Sequence, residues 1–332
     1  DIMYRLRLIF IMLTALIALS AGVTAAAIAL GTTLPNRVLL FESTRSRVFD
    51  TYLLDADRGI VRVFARPGSC FLSAWSPDGT RLACRVRGRG QTAFYLIDPL
   101  DGHMQPVEDA AYESGIAWSP DGMRLAYLIA GQQDGIGIID LTTGARARIP
   151  AAGFSARPVW SPDGTRLAFG STQDGLIVAR ADGSERRAVG VGINTSAPPV
   201  WLPDSAAIIF QDGSPGSMQN LNRVDLESGA ITRMTAGPYN GRPVLSPDGG
   251  RLAYIRLTEA GYELVVGDLA DGSTRVISRR ANTYTTANWS ADGQWIAFDS
   301  WGEGASGIYI VRADGTDERR VTTSALDYLP QW

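Results

Sequence analysis

No lysine occurs in the 332 residues; all 31 basic residues are arginine. Chemistry that needs a lysine amine is therefore excluded, including Schiff-base catalysis and P-loop phosphate binding. Histidine is almost absent as well, with His103 the single copy. A histidine-rich metal site is excluded, and a Ser-His-Asp triad could draw only on that residue. His103 follows the Asp101-Gly102 turn and reads as a solvated surface residue. Excess charge is also scarce: the net charge is −3 and the pI about 5.4, so no basic field recruits nucleic acid. No Gly-x-Ser-x-Gly nucleophile elbow is present. The aspartates lack the alternating oxygen-ligand spacing of an EF-hand, and carboxylates at turns usually cap backbone N–H groups, so calcium is not expected. No cofactor, catalytic residue or metal ligand is assigned.

What the chain has in quantity is a repeated phrase. It reads Trp75-Ser76-Pro77-Asp78-Gly79, then Trp118-Ser119-Pro120-Asp121-Gly122, then Trp160-Ser161-Pro162-Asp163-Gly164. Degraded copies start at Trp201, Leu245 and Trp289, and Trp332 stands where a seventh would begin. Successive marks lie 43, 42, 41, 44, 44 and 43 residues apart. Short strands at such a period signal a β-propeller, an architecture that hosts many unrelated activities.

Each repeat has one internal order. A strand ends on the marker Trp, and a turn follows in which Pro presets φ, Asp caps and Gly takes the left-handed position. The second strand carries an aromatic residue at Phe41, Tyr127, Phe169, Phe210, Tyr254 and Phe298, with Cys84 standing in once. A third strand turns on Asp and Gly, as at Asp140/Gly144 and Asp225/Gly229, or more tightly at Asp182-Gly183 and Asp314-Gly315. A short fourth strand follows. The N-terminal copy, starting at Arg37, lacks the first strand type, and the C-terminal Leu329–Trp332 supplies it. The expectation is an all-β fold of seven four-stranded blades over 37–332, closed by pairing the last strand with Arg37–Glu42. Closure removes the free sheet edges that invite aggregation.

Ahead of the repeats, Leu8 to Leu30 runs 23 residues without a charge. As a helix it spans roughly 35 Å, enough for a bilayer core of about 30 Å. Arg5 and Arg7 precede it, so the positive-inside rule leaves residues 1–7 in the cytoplasm and the propeller outside. A signal anchor over 8–30, with a linker at 31–36, is favoured over a signal peptide cleaved near Val23-Thr24-Ala25-Ala26. Ala18, Gly22 and Ala26, at four-residue spacing, would let another transmembrane helix approach closely.

The Trp-Ser-Pro-Asp-Gly phrase followed by Leu-Ala-aromatic resembles the WD-like repeats of the TolB family of periplasmic propellers, over Arg37 to Trp332. Similar repeats occur in propellers of prolyl-oligopeptidase-type peptidases. The TolB resemblance implies binding of partner proteins in the bacterial envelope. TolB itself carries an α/β domain before its propeller; the expected membrane helix stands there in this sequence.

The tight turns fall on one face of the disc and the longer links on the other. On this loop-rich face the candidate partner-binding residues are Trp301, Tyr112, Phe154, Tyr239, Tyr284, Tyr328, Arg87, Arg89, Arg279 and Arg280, because aromatic and Arg residues are favoured interface anchors. The competing reading is that the aromatics fill gaps between blades. Trp301, among polar and flexible neighbours, is the first choice for an exposed contact. Cys70 and Cys84 flank one hairpin. If Ser76 faces Thr80, then Cys70 faces Val86 and Cys84 faces Leu72, a diagonal relation marginal for a disulfide. A one-pair shift would bring them opposite; without a bridge, Cys84 is a small core residue.

The expected function is a non-catalytic scaffold at the outer face of the cytoplasmic membrane. It would bind other membrane or periplasmic proteins as an accessory subunit of a respiratory, photosynthetic or transport complex, with no nucleic acid. The alternatives are a sensor of a small ligand or glycan, with a pocket lined by Tyr112, Phe154, Tyr239 or Tyr284, and a channel enzyme (lyase, lactonase or hydrolase) limited to carboxylates, Tyr or Arg.

Overall fold

The computed structural model describes residues 38–43, 50–55, 59–62, 69–87, 92–98, 103–107, 115–129, 135–151, 154–190, 197–213, 218–301, 307–322 and 327–331. The proposed anchor, with Ala18, Gly22 and Ala26, lies outside them. No helix among the described residues is long and apolar enough to cross a membrane.

The strands run β1 (Val38–Ser43), β2 (Asp50–Asp55), β3 (Gly59–Arg62), β4 (Ser69–Trp75), β5 (Leu82–Arg87), β6 (Thr92–Ile97) and β7 (Met104–Val107). They continue with β8 (Ile116–Trp118), β9 (Arg124–Ile129), β10 (Gly135–Asp140), β11 (Arg146–Pro150), β12 (Phe154–Trp160), β13 (Arg166–Ser171), β14 (Gly175–Arg180) and β15 (Arg187–Gly190). Next come β16 (Val200–Trp201), β17 (Ala207–Gln211), β18 (Leu221–Asp225), β19 (Ile231–Arg233), β20 (Asn240–Leu245), β21 (Arg251–Thr258), β22 (Gly261–Asp268) and β23 (Thr274–Ser278). The last blade and the closing strand are β24 (Ala287–Trp289), β25 (Trp295–Ser300), β26 (Gly307–Arg312), β27 (Arg319–Arg320) and β28 (Asp327–Gln331).

These strands form seven four-stranded antiparallel sheets. Six are consecutive in sequence, from β4–β7 to β24–β27, and the seventh is ordered β28-β1-β2-β3. The C-terminal strand therefore closes the ring on β1, with Leu40 opposite Gln331 and Glu42 opposite Tyr328. Strands β28, β4, β8, β12, β16, β20 and β24 are innermost and line the central channel.

The core forms between blades. The recurring position of the second strand is buried in every blade, at Phe41, Cys84, Tyr127, Phe169, Phe210, Tyr254 and Phe298. Four marker Trp residues pack at blade junctions and their indoles reach back: Trp118 Nε1 donates to Ala74 O (3.0 Å), Trp160 to Ala117 O (3.1 Å), Trp201 to Val159 O (3.1 Å) and Trp289 to Val244 O (3.0 Å). An arginine completes each of these four junctions. Arg81, Arg124, Arg166 and Arg251 stack over the next blade's Trp at 4.7–5.2 Å. Three of them also donate to the next turn's glycine carbonyl at 2.8 Å, at Gly122, Gly164 and Gly293, and Arg166 donates to Ser205 O. Each stack adds about 0.5–1 kcal/mol at such half-exposed positions.

The turn chemistry repeats with the phrase. At Ser119 the hydroxyl donates to Asp121 Oδ1 (2.5 Å) and accepts from Arg124 N–H (2.9 Å), while Asp121 Oδ1 also accepts from Met123 N–H. Ser76, Ser161, Ser246 and Ser290 make the same donation to their aspartates. The glycine position needs a positive φ: it is 67° at Gly122, and in the degraded copy Ser205 adopts 58°.

Among the described residues, four inner strands carry a bulge. In β12, β20 and β28 it falls on Arg157-Pro158, Arg242-Pro243 and Leu329-Pro330, and in β4 on Leu72-Ser73. Proline suits a bulge because no ladder hydrogen bond is lost there. The β4 bulge also sets the cysteine geometry. Ser76 N–H donates to Arg81 O, not to Thr80, so the hairpin starts one residue later than the sequence reading had it. The bulge restores the count, and Cys70 faces Val86 with Cys84 opposite the bulge. Cys84 is fully buried and disulfide-bonded, and Cys70 is the one other cysteine.

Candidate functional site

The turns and the links occupy opposite faces. His103 lies on the turn face and is exposed, as are Met123 and Ile231. The loop-rich face carries the larger exposed aromatics: Tyr284 at 72% and Trp301 at 50% exposure.

Trp301 is exposed but not loose. Its Nε1 donates to Asp299 Oδ2 (2.8 Å), and the other oxygen of that carboxylate accepts from Thr286 N–H and from Thr286 Oγ1 (2.7 Å). Asp299, the last residue but one of β25, is buried, and burial pushes its pKa up while the Thr286 and Trp301 hydrogen bonds pull against it. Asn282 ties the two aromatics together: its Nδ2 donates to Trp301 O, and its Oδ1 accepts from Tyr284 N–H (2.7 Å). The Tyr328 ring lies 6.0 Å from Trp301, tilted 37°. Burial, then the charges of Glu42 and Asp327, push the Tyr328 hydroxyl far above the ordinary tyrosine value.

The arginine candidates differ. The Arg279 side chain is 67% exposed and pairs with buried Glu263, which Arg256 also holds at 2.8 Å. The Arg256 hydrogen bond, against burial and with help from Arg279, keeps the Glu263 carboxyl below its ordinary value. Arg280 pairs with Glu318 (2.6 Å) and lies over the Tyr309 ring. Tyr239 is half-buried and packs edge-on against Tyr262, 5.8 Å between centroids, in the core between the last two blades. Arg87 and Phe154 lie in β5 and β12, with side chains outside the described set, and Tyr112 and Arg89 lie outside the described residues altogether. The structure thus brings together Trp301, Tyr284, Tyr328 and Asn282, with Asn282 unmarked by sequence reasoning.

A second group gathers at the bulges of two inner strands, and sequence reasoning passed over it. Arg157 and Arg242 sit at the bulges of β12 and β20, three and two blades from Glu42 on β1. Gln211 joins this group: its Oε1 accepts from Arg242 N–H (3.0 Å) and its Nε2 donates to Gln219 Oε1 (2.6 Å). The signal available in the sequence was the Arg-Pro pair repeated three and two residues before a marker position. Among the described residues, no group of three or more His, Cys, Asp or Glu side chains is placed to hold a metal ion.

Residues 114–284 match the model of the TolB β-propeller domain. A TolB homologue of Chlorobium luteolum is 30% identical over 127 residues, which is 38% of this chain and 28% of the relative. The chain thus spans less than a third of that relative's length. Among solved structures, TolB from Acinetobacter baumannii superposes with a TM-score of 0.61 at 18% identity, over 94% of this chain and 72% of that one. An oligogalacturonate lyase in complex with manganese superposes with a TM-score of 0.67 at 18% identity, over 83% and 86% of the two chains. At these identities the structural likeness speaks for the fold. The family match covers just over half of the sequence and includes the repeated phrase at Trp118, Trp160, Trp201 and Leu245: the chain belongs to the TolB β-propeller family.

Proposed function

We propose that this propeller is a non-catalytic binding scaffold. Its loop-rich face docks a membrane or periplasmic protein, and segment 8–30 holds the disc at the outer face of the cytoplasmic membrane as an accessory subunit of a larger complex. The observation that carries the reading is Trp301: half-exposed, yet fixed by Asp299 and flanked by exposed Tyr284. A large aromatic held in place before binding has little side-chain entropy left to lose, which is what an interface anchor needs. The family relationship supports a protein partner.

The likeness to a lyase raises a catalytic alternative, which needs acid–base groups at the channel. His103 lies on the turn face, and burial with the charges of Glu42 and Asp327 raises the Tyr328 hydroxyl well above its ordinary value, which disfavours it as a base.

The test is native co-purification from gently solubilised membranes, comparing the wild type with a Trp301→Ala, Tyr284→Ala double variant. Loss of two anchors costs about 2 kcal/mol or more, roughly thirtyfold in affinity. The reading predicts a stoichiometric partner that the folded variant loses. A lone wild-type monomer, or a partner retained by the variant, would contradict it.

A further inference from the structure

One blade carries three arginines on the sheet face that it turns to its neighbour. Arg166 of β13 stands directly opposite Arg180 of β14, and Val178 of β14 stands opposite Arg187 of β15. Opposed residues share a face, as do residues two apart in a strand, so Arg166, Val178, Arg180 and Arg187 lie together. That face looks toward the blade β16–β19: Arg166 donates to Ser205 O and stacks over Trp201, and Arg187 donates to Leu226 O. In two other blades the arginine that follows the repeated phrase faces an aspartate, Asp140 across from Arg124 and Asp268 across from Arg251. The tight turn after β14 puts Arg180 in that place, and like charges directly opposite repel. In the other tight-turn blade Arg312 faces Trp295 and lies over its ring at 4.6 Å, so no like-charged pair arises there.

These side chains surround a cavity of about 400 Å³ at the turn end of the strands, lined by Arg166, Val178, Arg180, Glu185, Arg186 and Arg187. Cavities of roughly 300–1,000 Å³ hold small molecules. Four guanidinium groups line it against one carboxylate, Glu185, which Arg180 holds at 2.8 Å with both side chains more than half exposed. That pair belongs to the turn: Glu185 adopts φ 52°, and the other tight turn repeats the device as Arg312–Asp317 (2.8 Å), with Asp317 at 55°. The remaining carboxylates nearby do not line the cavity. Asp163 lies 4.0 Å from Arg166, Asp174 pairs with Arg186 at 2.6 Å, and Asp182, whose charge reaches Arg180, caps Ser184. On the facing blade Asp204 caps Ala206, Asp225 caps Ser228 and lies 3.7 Å from Arg223, and Glu227 is exposed. Counting the carboxylates in ion pairs (Glu185, Asp163 and Asp174), four cations stand against three anions. Arg187 pairs with no carboxylate among the described residues.

We infer that this cavity between two blades binds a small, multiply charged oxyanion, a phosphate ester or a polycarboxylate, with Arg166, Arg180 and Arg187 as its donors. An anion between opposed guanidinium groups relieves their repulsion, and their planar forks suit contacts to two oxygens at once. Arg166 and Arg187 are already positioned by carbonyls of the facing blade, so little side-chain freedom remains to be lost. A singly charged anion meets fewer of these donors, and cations are repelled. The site lies on the face opposite Trp301 and does not depend on the docking surface there.

The experiment follows the thermal unfolding of the full chain, purified in mild detergent, as pyrophosphate, citrate, acetate or chloride is added at matched ionic strength. A ligand that binds only the folded state raises Tm saturably. The expected result is a saturable rise with pyrophosphate, with citrate or with both, and none with acetate or chloride. A rise with pyrophosphate alone assigns a phosphoryl ligand, and with citrate alone a polycarboxylate. Stabilisation by exclusion of these salts from the surface acts on wild type and variants alike, so the difference between them reads the site. Arg187→Gln should weaken the response at least tenfold. Arg180→Asp, which copies the pairing of Arg124 with Asp140, should abolish it while the variant still unfolds cooperatively. Arg275→Gln is the control: Arg275 holds the matching place opposite Val266 in the blade β20–β23, and its loss should leave the response intact. Responses to pyrophosphate and citrate no larger than those to acetate and chloride, or a response unchanged in both Arg187→Gln and Arg180→Asp, would overturn the site.

Discussion

In each Ser-Pro-Asp-Gly turn one hydroxyl makes two hydrogen bonds and one carboxylate caps two donors. That arrangement holds the aspartates below their ordinary pKa. For Asp121 and Asp248 the largest cause is the hydrogen bond from Ser119 or Ser246; for Asp78 and Asp163 partial burial pushes upward, and the hydrogen bonds from Ser and Thr with the nearby Arg charge outweigh it. A carboxylate with a depressed folded pKa stabilises the fold above the unfolded value of about 4. That contribution is lost as the pH falls through the folded values. Thermal unfolding should therefore show a constant Tm from pH 7 to about 5 and a falling one below about pH 4. The Ser119→Ala, Ser246→Ala double variant should melt lower at pH 7, by about 1 kcal/mol per turn, and lose less on acidification. A Tm that stays level between pH 7 and 3 would show that these turns do not bear on stability. The same residues show the limit of reading a chain alone. Ser, Pro, Asp and Gly act within a few residues of each other, so their pattern is legible. Arg81, Arg124, Arg166 and Arg251 also recur with the phrase, but they act on the next blade, about 40 residues on, and their partners became visible only in the ring.

Among the elements, β28 differs from the other inner strands because it joins its sheet from the far end of the chain. It pairs with β1 through Leu40, Glu42 and Ser43, and without it β1 would expose an unpaired edge. Its place was legible because the repeats begin on a second strand and end on a first. The bulge at Leu329-Pro330 was not, since a bulge is defined by what the partner strand does. The same holds for Leu72-Ser73, which offset the later start of the hairpin and left Cys84 beside the β4 backbone. Deleting 327–332 should open the ring. The truncated chain should lose several kcal/mol, by comparison with the removal of a core strand, and should oligomerise through the freed edges. Calorimetry and light scattering read both effects; a truncation that melts like the parent and stays monomeric would contradict closure by β28.

For the whole molecule, the ring separates two surfaces with different chemistry. One is a run of near-identical capped turns, rich in short-range hydrogen bonds. The other is irregular and holds Trp301, Tyr284, Asn282 and Arg279. The period of the repeats sufficed to read the architecture. The surface chemistry was less legible, because exposure depends on neighbours in space: Tyr239 and Tyr284 both stand in polar stretches, yet Tyr239 packs on Tyr262 while Tyr284 projects outward. The central claim is that partners bind on the irregular face. It is tested most directly by amide hydrogen exchange on the solubilised full chain, alone and in the native complex. The account predicts slowed exchange on partner binding across 279–286 and around Trp301, with the turns at 77–80 and 120–123 unchanged. Protection confined to those turns, with the Trp301 region exchanging as in the isolated chain, would contradict it.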